Sequence, residues 1–159
     1  SFILLIVLAI SFSACGPKPP PDKFPFYKQQ YSYDCAPTSL KMIYEYYGEK
    51  YSEQELIKRL KTDTSGTSLQ AMHDLSHELG FTSMMVGVDM DFLQNEIKLP
   101  CIVHWNNNHA IVVYKADSTK IYVADPADTL LTYDRETFMK SWLQSDMVDK
   151  GIALVVYKL

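Results

Sequence analysis

Residues 29–48 read QQYSYDCAPTSLKMIYEYYG, and this stretch decides the fold. Leu40, Ile43, Tyr44 and Tyr47 recur at intervals of three and four, so they share one face of a helix. Gly48 accepts the left-handed backbone that ends such a helix. Asp34 is a residue type that caps a helix start. Pro37 falls in the first turn, where a missing N–H does no harm. The pattern predicts a helix over 35–47, capped by Asp34 and opening on Cys35.

That position matters because the thiolate, not the thiol, is the attacking species. A helix N-terminus acting with a histidine lowers a thiol pKa from ~8.5 toward roughly 3.5–7.5. A helix-start cysteine alone is more often a packing residue, so a base must lie within hydrogen-bond reach. Four histidines are available. His73 and His77 stand four apart on one helical stretch, but no third ligand or H-E-x-x-H pattern accompanies them, and they read as helix residues. His109 opens the strand-forming run Ala110-Ile111-Val112-Val113-Tyr114, where a sheet can hold its ring. His104 reads as a strand residue whose neighbour Trp105 lines a cleft. For Trp105 and for Tyr33, core packing is the preferred reading over lining a groove. A third group must orient the imidazole. Asp125 ends the run Ile121-Tyr122-Val123-Ala124, and a hairpin with the His109 strand brings the two together. Gln29 or Gln30 supplies an amide donor for an oxyanion beside the Cys35 N–H, and the chemistry alone does not choose between them.

Outward from this stretch, Ser52-Glu53-Gln54-Glu55 is a capping box that opens a second helix to about residue 60. Thr67-Ser68-Leu69-Gln70 opens a third, closed at Gly80. The period then changes. Residues 81–88 predict a strand, 91–97 a short helix, and 101–105, 109–115 and 120–124 three strands. Asn106-Asn107-Asn108 and Asp117-Ser118 supply the turns. Asp134 caps a last short helix through Trp142, and 152–157 predicts a final strand. Helices first and an antiparallel sheet after give an α+β class.

The chain has 159 residues, the size of one domain, and 47% of them are hydrophobic. The net charge of −4 and the lack of a basic patch argue against a nucleic-acid partner. Residues 2–10 are an apolar run too short to span a bilayer but suited to a secretory signal. Phe12-Ser13-Ala14-Cys15-Gly16 follows and is similar to the lipobox of bacterial lipoproteins, with Cys15 as the lipidated residue. Residues 1–15 are thus expected to be a signal segment, 16–25 a proline-rich tether and 26–159 the folded domain. Such a chain would sit on the periplasmic or extracellular face of the cell envelope, held to the membrane by its lipid. Cys101, within an apolar stretch, is expected to pack as a small hydrophobe. A Cys35–Cys101 disulfide is the alternative.

Together these stretches resemble the bacteriocin-processing peptidases, papain-like domains that cut leader peptides after a double glycine. The resemblance runs through residues 29–48, 66–81 (GTSLQAMHDLSHELGF), 99–115 (LPCIVHWNNNHAIVVYK) and 123–127 (VADPA). It implies a papain-like fold and a cysteine peptidase that needs no metal or organic cofactor. It places the nucleophile on Cys35, the general base on His109, the orienting acid on Asp125 and the oxyanion glutamine on Gln29. Ala36 stands where the family usually has glycine. The resemblance also implies a peptide or protein substrate and a peptide exporter as partner, although the export signal makes a double-glycine leader a weaker expectation. Two other readings use the same fold: an amidase or transferase, and a non-catalytic peptide-binding module.

Overall fold

The computed structural model describes residues 23–144 and 146–159. Cys15, the apolar run and most of the expected tether lie outside the described residues. Three helices come first: α1 (Cys35–Tyr46), α2 (Glu53–Leu60) and α3 (Leu69–Glu78). Then follow β1 (Thr82–Val88), α4 (Met90–Asn95), β2 (Cys101–Trp105), β3 (His109–Ala116), β4 (Lys120–Ala124), β5 (Leu130–Asp134), α5 (Arg135–Trp142) and β6 (Gly151–Tyr157). Among the described residues the strands form one sheet in the order β1-β6-β2-β3-β4-β5. Every neighbouring pair in it is antiparallel. The class is α+β, as the element order predicts.

The sheet separates two cores. On one face, Leu40, Ile43 and Tyr44 of α1, Leu56 of α2 and Met72 of α3 pack on Ile102, Val112, Leu154 and Val156. On the other, Leu93, Phe138 and Trp142 pack on Cys101, Val103, Trp105, Ile111 and Val155. Successive strand residues point to opposite faces, so one strand feeds both cores. Fully burying a Leu or Phe side chain is worth about 1.5–3 kcal/mol, and both cores are dense in such residues.

The local signals mostly act as expected. Ser52 Oγ accepts from the Glu55 N–H at 3.2 Å, and Asp134 Oδ1 accepts from the Thr137 N–H at 2.8 Å. Gly48 has φ +86° just past α1. Three features differ. Ser68, not Thr67, caps α3, accepting from the Ala71 N–H. Strand β5 adds a sixth strand that the sequence reading lacks. Trp105, by contrast, follows its preferred reading and lies in the core away from α1, packed on Tyr133 and Phe138. Asp34, finally, does not cap α1 with its side chain. Its ψ is 22°, whereas the capping residues Ser52, Ser68, Asp89 and Asp134 have ψ of 151°, 151°, 176° and 162°. That backbone turns the carboxylate backward, where it accepts the N–H groups of Gln30 and Tyr31 at 3.1 and 3.0 Å.

Gly151, at the start of β6, is a packing constraint. A Cβ there would come 2.3 Å from the fully buried Trp142 ring, whose Nε1 donates to the Ile152 carbonyl at 3.1 Å. Gly151→Ala is therefore expected to destabilise the fold by about 1–3 kcal/mol, the usual cost of overpacking. Urea unfolding followed by tryptophan fluorescence measures this.

Candidate active site

Helix α1 begins against the sheet because its first turn is small and buried: Ala36, Pro37, Thr38 and Ser39. Ser39 Oγ donates to the Ala110 carbonyl at 3.2 Å, pinning this turn beside the start of β3. Cys35 is the first residue of α1 and His109 the first of β3. They are 74 positions apart in sequence and meet because α1 lies across that strand.

The third group arrives through the β3–β4 hairpin. Its register pairs Val112 with Ala124, so the residues beyond these open ends face one another. His109 Nε2 and Asp125 Oδ1 are 2.7 Å apart. Asp125 Oδ1 also accepts the Ala127 N–H at 2.9 Å, and the Asp125 N–H donates to the Thr129 carbonyl at 3.0 Å. The carboxylate is thus fixed before the histidine reaches it. An acceptor at Nε2 places a proton there, leaving Nδ1 as the nitrogen for the Cys35 thiol, which lies within hydrogen-bonding reach.

The electrostatics follow from this arrangement. Burial of the His109 ring is the largest single effect and would lower its pKa. The hydrogen bonds to Asp125 and Cys35, with the charges on both, outweigh it and raise the value from 6.5 to about 9. For Asp125, burial is again the largest effect and pushes upward. The His109 hydrogen bond, the Ala127 N–H and the imidazolium charge overcome it and hold the carboxyl below its usual range.

A cleft of about 630 Å³ opens on the pair, lined by Tyr33, the 64–69 loop, His104 and the Asn107–Asn108 turn. Tyr33 stacks on Tyr31 with ring centroids 5.3 Å apart. His104 and Tyr33 line this cleft, whereas Trp105 packs in the core; the sequence favours core packing for Trp105 and Tyr33 alike, and Tyr33 departs from it. The pleat sends Ile102 and His104 to the face that α1 covers. The Nδ1 of His104 sits 3.3 Å from Gln144 Oε1.

Of the two glutamines, Gln30 is exposed and its Oε1 accepts from Gln54 on α2 at 3.3 Å. Gln29 is tied to the site: its backbone N–H donates to the Pro126 carbonyl at 2.8 Å, joining its loop to the Asp125 turn. Its Nε2 donates one hydrogen to the Tyr31 carbonyl at 2.6 Å, and its Oε1 is buried without a hydrogen-bond partner. Gln29 is not among the residues lining the cleft.

The remaining sequence candidates fall elsewhere. His73 and His77 contact each other and Ser83 on the far side of α3, and among the described residues no group of three or more His, Cys, Asp or Glu is placed to hold a metal ion. Cys35 and Cys101 are both free thiols. No bond joins them because Cys101 belongs to the core on the opposite face of the sheet. Burial pushes the Cys101 thiol up to about 12. Iodoacetamide at neutral pH is therefore expected to modify Cys35 in the native protein and Cys101 only after unfolding. Peptide mass mapping measures both rates, and equal native rates would contradict this placement.

Comparison with known proteins agrees with this geometry. Residues 23–148 match the family model described as the Peptidase C39 family. The lactococcin-G-processing and transport ATP-binding protein LagD of Lactococcus lactis is 31% identical over 119 residues, covering 72% of this chain and 17% of that protein. The probable microcin-H47 secretion/processing ATP-binding protein MchF of Escherichia coli is 24% identical over 135 residues, covering 85% and 18%. The chain thus spans less than a fifth of the length of these relatives. Among solved structures, the peptidase domain of Streptococcus ComA superposes with a TM-score of 0.76 at 25% identity, over 86% of this chain and 100% of that one. A double glycine motif protease from an AMS/PCAT transporter, in complex with the leader peptide, gives 0.78 at 23% identity, over 86% and 93%. The helix-borne thiol, the sheet-borne histidine and carboxylate, and these matches place the chain in the peptidase C39 family, cysteine peptidases of the bacteriocin-processing type.

Proposed function

We propose that this chain cleaves peptides through Cys35, His109 and Asp125. The observation that carries the proposal is the placement of His109, bonded through Nε2 to Asp125 and within reach of Cys35 on its other side. Cys35 Sγ attacks the peptide carbonyl and a C–S bond forms. The oxyanion takes hydrogen bonds from the Cys35 N–H and from the second hydrogen of Gln29 Nε2. The imidazolium of His109 gives its Nδ1 proton to the leaving amine as the C–N bond breaks. Water, deprotonated by His109, then attacks the thioester, releasing the acid and restoring the thiol. Asp125 keeps its own charge throughout and holds the ring.

The substrate is a leader peptide ending in a double glycine, and the partner is a peptide exporter. The support is kinship with proteins named for bacteriocin processing and secretion. The chain acts at the cell envelope, with 1–15 as signal, Cys15 as lipid attachment site, 16–25 as tether and 26–159 as the catalytic domain. The support here is the apolar run and the Ser13-Ala14-Cys15 sequence. No helix among the described residues is long and apolar enough to cross a membrane.

Cleavage of a synthetic Gly-Gly leader peptide, followed by mass spectrometry, tests the proposal. Cys35→Ala is expected to abolish cleavage, and Asp125→Asn to lower kcat by up to roughly 10⁴-fold. Unchanged cleavage in Cys35→Ala would leave peptide binding as the better account. The pH profile carries a second expectation. His109 must be protonated to protonate the leaving group, and its pKa is raised, so activity is present below about 9 and lost as pH rises through it. Asp125→Asn removes one cause of that rise and is expected to move the alkaline limb to lower pH. Gln29→Ala is expected to lower kcat by roughly 10²–10³-fold with little change in KM.

A further inference from the structure

Asp34 is completely buried and Glu53 is 6% exposed, and Thr38 Oγ1, in the first turn of α1, bridges the Asp34 carbonyl and the Glu53 carboxyl. Among the described residues neither makes an ion pair. The charged groups facing Glu53 are Asp34 and Lys41, and the Lys41 ammonium sits 3.6 Å over the Tyr27 ring instead. Two buried carboxylates in contact without a bonded cation repel each other and lose hydration.

The hydrogen bonds show how this is relieved. Both Asp34 oxygens accept backbone N–H groups, from Gln30 and Tyr31. Thr38 Oγ1 lies 2.8 Å from the Asp34 carbonyl and 2.7 Å from Glu53 Oε1. A hydroxyl has one hydrogen and cannot give it fully to both. A proton on Glu53 would let the Thr38 hydroxyl give its hydrogen to the Asp34 carbonyl while Glu53 donates to Thr38 Oγ1 or to the Asp34 carboxylate. Burial of Glu53 and its contact with Asp34 act in the same direction, while the Thr38 hydrogen bond and Lys41 oppose them.

The pair reaches the catalytic site through Asp34. Its carboxylate fixes the Gln30 and Tyr31 amides, and the Tyr31 carbonyl holds Gln29 Nε2. Its carbonyl takes the Thr38 N–H at 3.1 Å, in the turn that begins with Cys35. We propose that Asp34 and Glu53 share one buried proton and that this pair is a positioning device, setting the Gln29 carboxamide relative to Cys35. The importance of that position rests on the oxyanion role given to Gln29 above.

The test uses Glu53→Gln, which replaces the acid proton with an amide hydrogen, together with Glu53→Ala and Asp34→Asn. Two readouts need no substrate, so they decide this proposal even where cleavage fails and the peptidase reading falls. The first is stability against pH. A carboxyl raised in the fold contributes stability that is full below its ordinary value of 4.5 and is lost as pH rises through the folded value. Wild type is therefore expected to lose stability relative to Glu53→Gln as pH rises above 4.5. A difference that is flat with pH overturns the shared proton. The second is the Gln29 side-chain amide resonance in NMR. It is expected to move in Glu53→Ala and Asp34→Asn and to return in Glu53→Gln. An unmoved resonance in Glu53→Ala overturns the positioning role. On a cleavable peptide, the two disruptive variants are expected to lose up to about 10²-fold in kcat, the cost of a misplaced group, with KM little changed.

Discussion

The bond between His109 Nε2 and Asp125 Oδ1, at 2.7 Å, depends on nearly every part of the fold. It requires the β3–β4 hairpin in the register that pairs Val112 with Ala124. It requires the Asp125 turn, closed by its bonds to Ala127 and Thr129 and tied to Gln29. It serves chemistry only because α1 delivers Cys35 to the other side of the ring. That delivery rests on the small first turn of α1, the Ser39 bond to Ala110, and the packing of Leu40, Ile43 and Tyr44 on the sheet. The second core, around Trp142 and Phe138, stabilises the opposite face so that the sheet stays flush against α1. The energetic investment lies in packing, and the site inherits its geometry from it.

Both helices and strands around the site were legible because their signals are local. The three- and four-residue period of α1, the glycine at its end, the Ser52 and Asp134 caps and the asparagine turn each act within a few residues. Cys35, His109 and Asp125 could be picked out for the same reason: each stands at an element end that the pattern marks. What escaped the sequence depends on something non-local or on a single backbone angle. Asp34 is the right residue type for a cap, but its ψ turns the carboxylate the other way. The CIVHW strand is covered on both faces, so its side chains carry no alternation that tells His104 from Trp105. Strand β5 lies at the sheet edge, where Leu130 is exposed and Leu131 half-buried, and two adjacent leucines hide the period. Gly151 is needed because of a ring nine positions away, which no local pattern announces.

Two further features bear on Cys35 as a free thiol. Cys101 is held in the core across the sheet, so it cannot capture Cys35 in a disulfide without unfolding. Ala36 places its methyl in the first core at 1% exposure. It adds packing beneath Cys35 and is not part of the cleft lining.

The proposed chemistry requires His109 to carry a proton between an ionised Asp125 and the Cys35 sulfur. Nitrogen-15 NMR of the His109 ring across pH measures this directly. The expected result is an imidazolium at neutral pH that loses its proton near 9, with the midpoint falling in Cys35→Ala because the thiol hydrogen bond and charge are gone. A ring that is neutral at pH 7, or a midpoint indifferent to Cys35, would contradict it.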